Sequence, residues 1–126
     1  MSEIKKPLLF DGAMGTYYAS VAQNPLNPCE LANLHDRDTI LNIHREYINA
    51  GCQAIKTNTF GANRSGLTGD WDIVKKVLEA GYKLAMEAAR DTRVLVFADI
   101  GPIAEEDGTD LPGGFHSELV TRFKHL

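Results

Sequence analysis

The chain has 126 residues, 44% of them hydrophobic and 24% charged, with a formal net charge of -4 at pH 7. That is one domain at most, with enough apolar content to bury a core, so global disorder is excluded. The acidic balance argues against nucleic acid or an anionic membrane surface as the main partner. No apolar run approaches the roughly 20 residues that span a bilayer.

The N-terminal MSEIKKP lacks the long apolar stretch of a secretory signal. Cys29 and Cys52 make no disulfide framework, so the cytoplasm is the expected compartment.

The first strand-like run is residues 7–10, which leads directly into DGAMGT. An acid there, set among glycines, is either turn chemistry or a group placed to meet a ligand that needs bare backbone nearby. Ile40, Ile43, Tyr47 and Ile48 then recur at helical spacing, with Asp36 or Asp38 as N-cap and Gly51 just past the end. A second strand is expected over residues 52–57 (CQAIKT), followed by NTFGAN. A longer helix puts Trp71, Val74, Leu78, Gly81, Ala85 and Ala88 on one face, capped by Asp70. The clearest strand is residues 93–100 (RVLVFADI), which leads into GPIAEEDG. Residues 104–114 read as a long polar loop. The stripe Phe115, Leu119, Val120, Phe123 and Leu126 fits a last helix.

Strand and helix alternating three times predicts an α/β fold of parallel βα units. The strand onsets fall about 40 residues apart, above the roughly 31 per unit of a barrel of ~250 residues. No internal repeat or linker divides the chain. Three parallel strands leave two unpaired edges, and the last helix has no stop signal, so the chain reads as cut short. A small complete three-layer domain is the alternative.

In parallel α/β folds ligands bind at the carboxyl ends of the strands. Asp11, Thr57, Asn58 and Asp99 all stand at such ends, and their convergence on one rim is the expectation. Each has a plainer reading. Asp11 could cap a turn, the Thr57 to Thr59 triplet could be turn chemistry, and Asp99 could face the interior or cap a loop. DGAMGT is neither a dinucleotide fingerprint nor a P-loop. His35 and His44 read as solvated or core-satisfied, and Met14 and Phe60 as packing. Cys29 and Cys52 lie 23 residues apart without a metal-ligand spacing, one in a loop and the other opposite the rim, so no metal site is expected within these residues.

LLFDGAMGT, CELANL, ILNIHREYINAGCQAIKTNTFGAN and ADIGP, in this order, resemble the homocysteine S-methyltransferase family over roughly residues 7–102. The CELANL stretch looks most like the bifunctional or folate-linked bacterial members. The resemblance implies a (β/α)8 TIM barrel, of which residues 1–126 would be the first three or so units. It implies methyl transfer to the homocysteine thiol, giving methionine. The zinc that binds and activates the sulfur would be held by cysteines of the later barrel, which match neither Cys29 nor Cys52.

By the same resemblance Asp11 pairs with the substrate ammonium, and the N–H groups of Asp11 and Gly12 hold its carboxylate. Thr57, Asn58 and Thr59 shape the pocket floor and wall, with Asp99 on the rim. Members usually carry proline near the start of the helix after ELANL, where it suits the first helical position. Here Arg37 stands in HDRD, which should loosen that start.

The implied partners are homocysteine, or a related thiol or selenol, and a methyl donor. That donor would be methyltetrahydrofolate, methylcobalamin, betaine or S-methylmethionine, with cobalamin or folate acting through other domains. Without the zinc cysteines the chain alone should be inactive, and its open edges should drive self-association. A non-catalytic half-barrel that assembles with another copy is the competing reading.

Overall fold

The computed structural model describes residues 6–67, 69–103 and 114–126, the side chains of 114 and 115 excepted. In chain order it contains α1 (Gly15–Val21), a 3-10 turn (Cys29–Leu31), α2 (Ala32–His35), α3 (Arg37–Asn49), β1 (Ala54–Lys56), α4 (Trp71–Ala89), β2 (Leu95–Phe97) and α5 (Gly114–Lys124). β1 pairs in parallel with β2, Ala54 opposite Leu95 and Lys56 opposite Phe97. On the other side of β1, Phe10 makes a single parallel bridge to Ala54. The fold is therefore α/β, with the second strand-like run between the first and third.

All three strands are shorter than their apolar runs, and the first is reduced to that bridge. The physical reason is one-sided packing. β1 is flanked by both neighbours and buries Ala54 and Ile55 completely. Leu8, Phe10, Leu95 and Phe97, which alternate onto one face, are between 39% and 52% exposed. Nothing among the described residues covers that face, so little packing extends the ladders beyond their central residues.

The helices follow their periodicity more closely. α3 starts at Arg37 after the cap residue Asp36, which accepts a hydrogen bond from the Thr39 hydroxyl at 2.7 Å. Arg37 thus occupies the first helical position. Gly51, at φ +105°, takes the left-handed turn after the helix, where a side chain would be strained. The Asp70 carboxylate caps α4 by accepting from the Asp72 N–H at 2.9 Å.

Val74, Leu78, Gly81, Ala85 and Ala88 of α4 are all buried. Its C-terminal half packs with Tyr18, Ile40, Ile43 and Ile55 in one core. Its N-terminal half packs with Ala62 and Leu119 in a second. The last stripe therefore has something to cover: Leu119 is buried on α4, whereas Val120 is 42% exposed. The expected polar loop falls mainly on 104–113, outside the described residues.

α1 was not expected from periodicity. GTYYASV has no apolar repeat, and only Tyr18 of the helix is buried. The Tyr18 hydroxyl accepts from the Leu26 N–H and donates to Asp36, tying α1 to the segment before α3.

Candidate functional site

A cavity of about 520 Å³ opens at the carboxyl ends of the strands. Asp11, Gly12, Thr57, Asn58, Thr59 and Asp99 all line it, so the six residues singled out from sequence are brought together. Met14 and Phe60, expected as packing, line it as well, and Phe60 is 55% exposed.

Asp11 is held from three directions. Its N–H donates to the Ala54 carbonyl at 2.9 Å, continuing the Phe10 bridge. Its carboxylate accepts from the Lys56 N–H at 3.1 Å and forms an ion pair with the Lys56 ammonium. The side chain is 3% exposed. Strand pairing therefore commits the Asp11 N–H that the family resemblance assigns to a substrate carboxylate.

The loop that follows Asp11 rests on α3. The Tyr47 hydroxyl donates to the Ala13 carbonyl at 2.6 Å. A Cβ on Gly12 would stand 2.9 Å from that phenol oxygen. The glycine lets the loop sit against the Tyr47 ring.

Thr57, Asn58 and Thr59 are almost fully buried, and their polar atoms are bonded within the protein. The Thr57 and Thr59 hydroxyls lie 2.6 Å apart. The Thr59 hydroxyl donates to the Asp99 carbonyl at 2.7 Å, and the Asp99 N–H donates to the Thr57 hydroxyl at 3.1 Å. These two threonines tie the end of β1 to the end of β2.

The Asn58 amide donates to the Cys29 carbonyl and to Asn33 Oδ1, at 3.1 and 2.9 Å. Asn33 in turn donates to the carbonyls of Asn58 and Val77. The triplet lines the cavity and locks β1, β2, α2 and α4 together. Burial raises the Asp99 carboxyl above its ordinary value, and the charges of Asp11 and Glu30 add to that effect against Lys56.

Three further residues of this wall lay outside the site expected from sequence. Lys56 reads as a polar residue of a short strand, yet its ammonium sits on Asp11. Glu30 is 6% exposed and accepts from the Gly61 N–H at 3.1 Å. Cys29 is part of a 3-10 turn rather than a loop, and it lines the cavity. The only signal for the last two was their place in CELANL.

Burial, then the neighbouring Glu30 charge, pushes the Cys29 thiol up to about 12. That is the opposite of what a metal thiolate needs. No group of three potential ligands gathers among the described residues. The implied zinc thus does not fit the residues described.

His44 is fully buried inside α3, and neither ring nitrogen has a hydrogen-bond partner among the described residues. It is a core histidine but not a satisfied one. Burial lowers its pKa to about 4, against the opposing pull of the Asp11 charge. His35 is exposed, at the end of α2.

The family model described as homocysteine S-methyltransferase matches residues 8–122. The chain belongs to the homocysteine S-methyltransferase family. It is 34% identical to a methionine synthase of Mycobacterium tuberculosis over 130 aligned positions, covering 92% of this chain. It is 33% identical to the methionine synthase of Mycobacterium leprae, covering 90%. It spans about a tenth of the length of each of these relatives.

In three dimensions it is similar to the homocysteine methyltransferase MmuM from Escherichia coli, metallated form. The TM-score is 0.74 at 22% identity, covering 96% of this chain and 51% of that one. That likeness supports the fold. Among the described residues no helix is long and apolar enough to cross a membrane.

Proposed function

We propose that residues 1–126 form the first three or so βα units of a (β/α)8 barrel domain, and that they carry the amino-acid-binding half of a homocysteine S-methyltransferase site. The observation that carries this reading is the buried Asp11 carboxylate at the wall of a cavity that the Thr57–Asn58–Thr59 triplet also lines. A primary ammonium already lies against Asp11, in the form of Lys56, so the site suits the ammonium of an amino acid. Asp11 would hold that ammonium. Gly12 would let the ligand approach the backbone, and Asp99 would border the ligand from the β2 side. The thiol would point away from this half, toward residues outside the chain.

Methyl transfer needs the acceptor as thiolate. A free thiol with a pKa near 8.5 is only a few per cent ionised at neutral pH. The carboxylates of this cavity would disfavour a thiolate beside them, and the zinc that the family resemblance implies would supply the activation, held by residues other than those described. The donor, whether methyltetrahydrofolate, methylcobalamin, betaine or S-methylmethionine, would likewise be bound elsewhere. By themselves residues 1–126 are expected to transfer no methyl group. They are expected to self-associate through the exposed Leu8, Phe10, Leu95 and Phe97, a face that water penalises by about 25 cal/mol per Å².

The test is calorimetric titration of L-homocysteine into the full-length protein and its Asp11→Asn variant. We expect wild-type binding and a loss of about a hundredfold in the variant, the scale for a buried charge pair that loses one partner. Equal affinity in the two proteins would remove Asp11 from the site.

A further inference from the structure

The cavity is lined by three carboxylates, Asp11, Glu30 and Asp99, and by one ammonium, that of Lys56. Lys56 is the last residue of β1, and its ammonium ion-pairs with Asp11 Oδ1. It also lies 3.3 Å from the Asp11 carbonyl oxygen and 5.5 Å from the Phe10 ring centroid. Its side chain is 37% exposed, while that of Asp11 is 3% exposed. The lysine can therefore swing off Asp11 without emptying the core, whereas Asp11 is fixed by the Lys56 N–H.

We propose that Lys56 is the receptor for the substrate's α-carboxylate, and that an amino-acid zwitterion binds by inserting between Asp11 and Lys56. The inference rests on the reading of this cavity as an amino-acid pocket. Two observations favour the choice. The Asp11 N–H is committed to Ala54, which leaves the Gly12 N–H alone of the two backbone donors that the resemblance assigns to the carboxylate. A ligand carboxylate would otherwise face Asp11, Glu30 and Asp99, which repel it.

Insertion replaces one internal ion pair by two, Asp11 with the ligand ammonium and Lys56 with the ligand carboxylate. Each charge of a zwitterion thereby gains a partner, whereas a ligand bearing only an ammonium displaces Lys56 from Asp11 and offers it no carboxylate in return. The pocket thereby selects α-amino acids over simple amines. Lys56 is a specificity residue, and the proposal assigns it no part in moving the methyl group.

The experiment compares L-homocysteine with 3-aminopropane-1-thiol, which has the same thiol and ammonium but no carboxylate, by titration calorimetry on the full-length protein. Wild type is expected to prefer homocysteine at least tenfold. Lys56→Met should lose tenfold or more for homocysteine and shift less than threefold for the aminothiol. Lys56→Arg should keep most of the preference. Thermal melts of each variant establish folding, and the wild-type comparison needs no variant. Equal wild-type affinity for the two compounds overturns the proposal. So does a Lys56→Met protein that keeps the preference, or one that binds both more tightly, since the lysine would then merely compete for Asp11. If wild type binds neither compound, the amino-acid pocket reading falls as well. Homocysteine binding with no discrimination sinks only the role of Lys56.

Discussion

The two sides of the cavity are built on opposite principles. On the Asp11 side, a fixed buried carboxylate faces a lysine that is more than a third exposed, so the pairing can be exchanged. On the Thr57 to Thr59 side every polar side chain is buried and bonded to another part of the protein. Both sides stand at strand ends and both line the pocket. Only the first has an interaction that a ligand could take over without breaking the fold. The difference separates groups that can recognise from groups that hold the recognising groups in place, and burial with hydrogen-bond satisfaction is what distinguishes them.

The largest effect should come from breaking the holding side at Asn33. That side chain joins the Asn58 carbonyl at 2.7 Å, the Val77 carbonyl at 3.2 Å and the Asn58 amide at 2.9 Å, with no exposure. Asn33→Ala leaves the Asn58 carbonyl and one N–H of the Asn58 amide buried without their partner, while the other N–H keeps the Cys29 carbonyl. At about 1–3 kcal/mol for an unsatisfied buried group, a loss of about 4 kcal/mol in unfolding free energy is expected. Asp11→Asn, by contrast, should reduce ligand affinity far more than stability. Denaturant melts of both variants, set beside their titrations, decide the matter. An Asn33→Ala protein as stable as wild type would erase the distinction between the two sides.

A smaller effect is expected from pH, through His44 behind the exchangeable side. Its folded-state pKa is lowered from 6.5 to about 4, so the folded state resists protonation. The associated stability is whole above pH 6.5 and is lost as pH falls from 6.5 toward 4. The shift corresponds to about 3 kcal/mol in total, of which about 2 should be gone by pH 5. Asp11 pulls the other way, so the loss would be greater still without its charge. Denaturant melts of wild type and His44→Leu at pH 7.5 and pH 5 isolate the contribution, because other acid-titrating groups act in both proteins. Wild type should lose about 2 kcal/mol more than the variant, and parallel losses would mean that His44 is hydrated.

Much of this arrangement was legible in the residues, and the failures have a common cause. Apolar periodicity located α3 and α4 because their buried faces repeat every turn. The strand ends located the pocket because Asp11, Thr57 and Asp99 interrupt apolar runs. What periodicity cannot carry is contact between segments distant in sequence. Lys56 is unmarked within the CQAIKT strand until the Phe10 bridge places Asp11 beside it, 45 positions earlier. Cys29 reads as loop, and nothing singles out Glu30, until Asn58 and Gly61 fold onto them. α1 was invisible because its one buried residue, Tyr18, makes no repeat. The strands were overextended because an apolar run does not say whether its second face is covered.

The smallest effect tests how tightly the holding side is packed where α4 passes beneath it. A Cβ on Gly81 would stand 2.7 Å from Asn33 Nδ2 and 2.8 Å from Thr59 Cγ2, both closer than side-chain carbons ordinarily approach. In an open helix Gly→Ala stabilises by about 1 kcal/mol. Here the overpacking costs about 1–3 kcal/mol, because Asn33 and Thr59 are fixed by bonds to three other segments and cannot retreat freely. Gly81→Ala should therefore destabilise by about 1 kcal/mol, a sign opposite to the helical propensity. It should also weaken ligand binding modestly, because pushing Thr59 moves the Asp99 backbone to which its hydroxyl donates. Paired denaturant melts give the answer in the sign alone. A stabilised Gly81→Ala protein would mean that the holding side yields, and that its residues adapt to a ligand as readily as the Asp11–Lys56 pair.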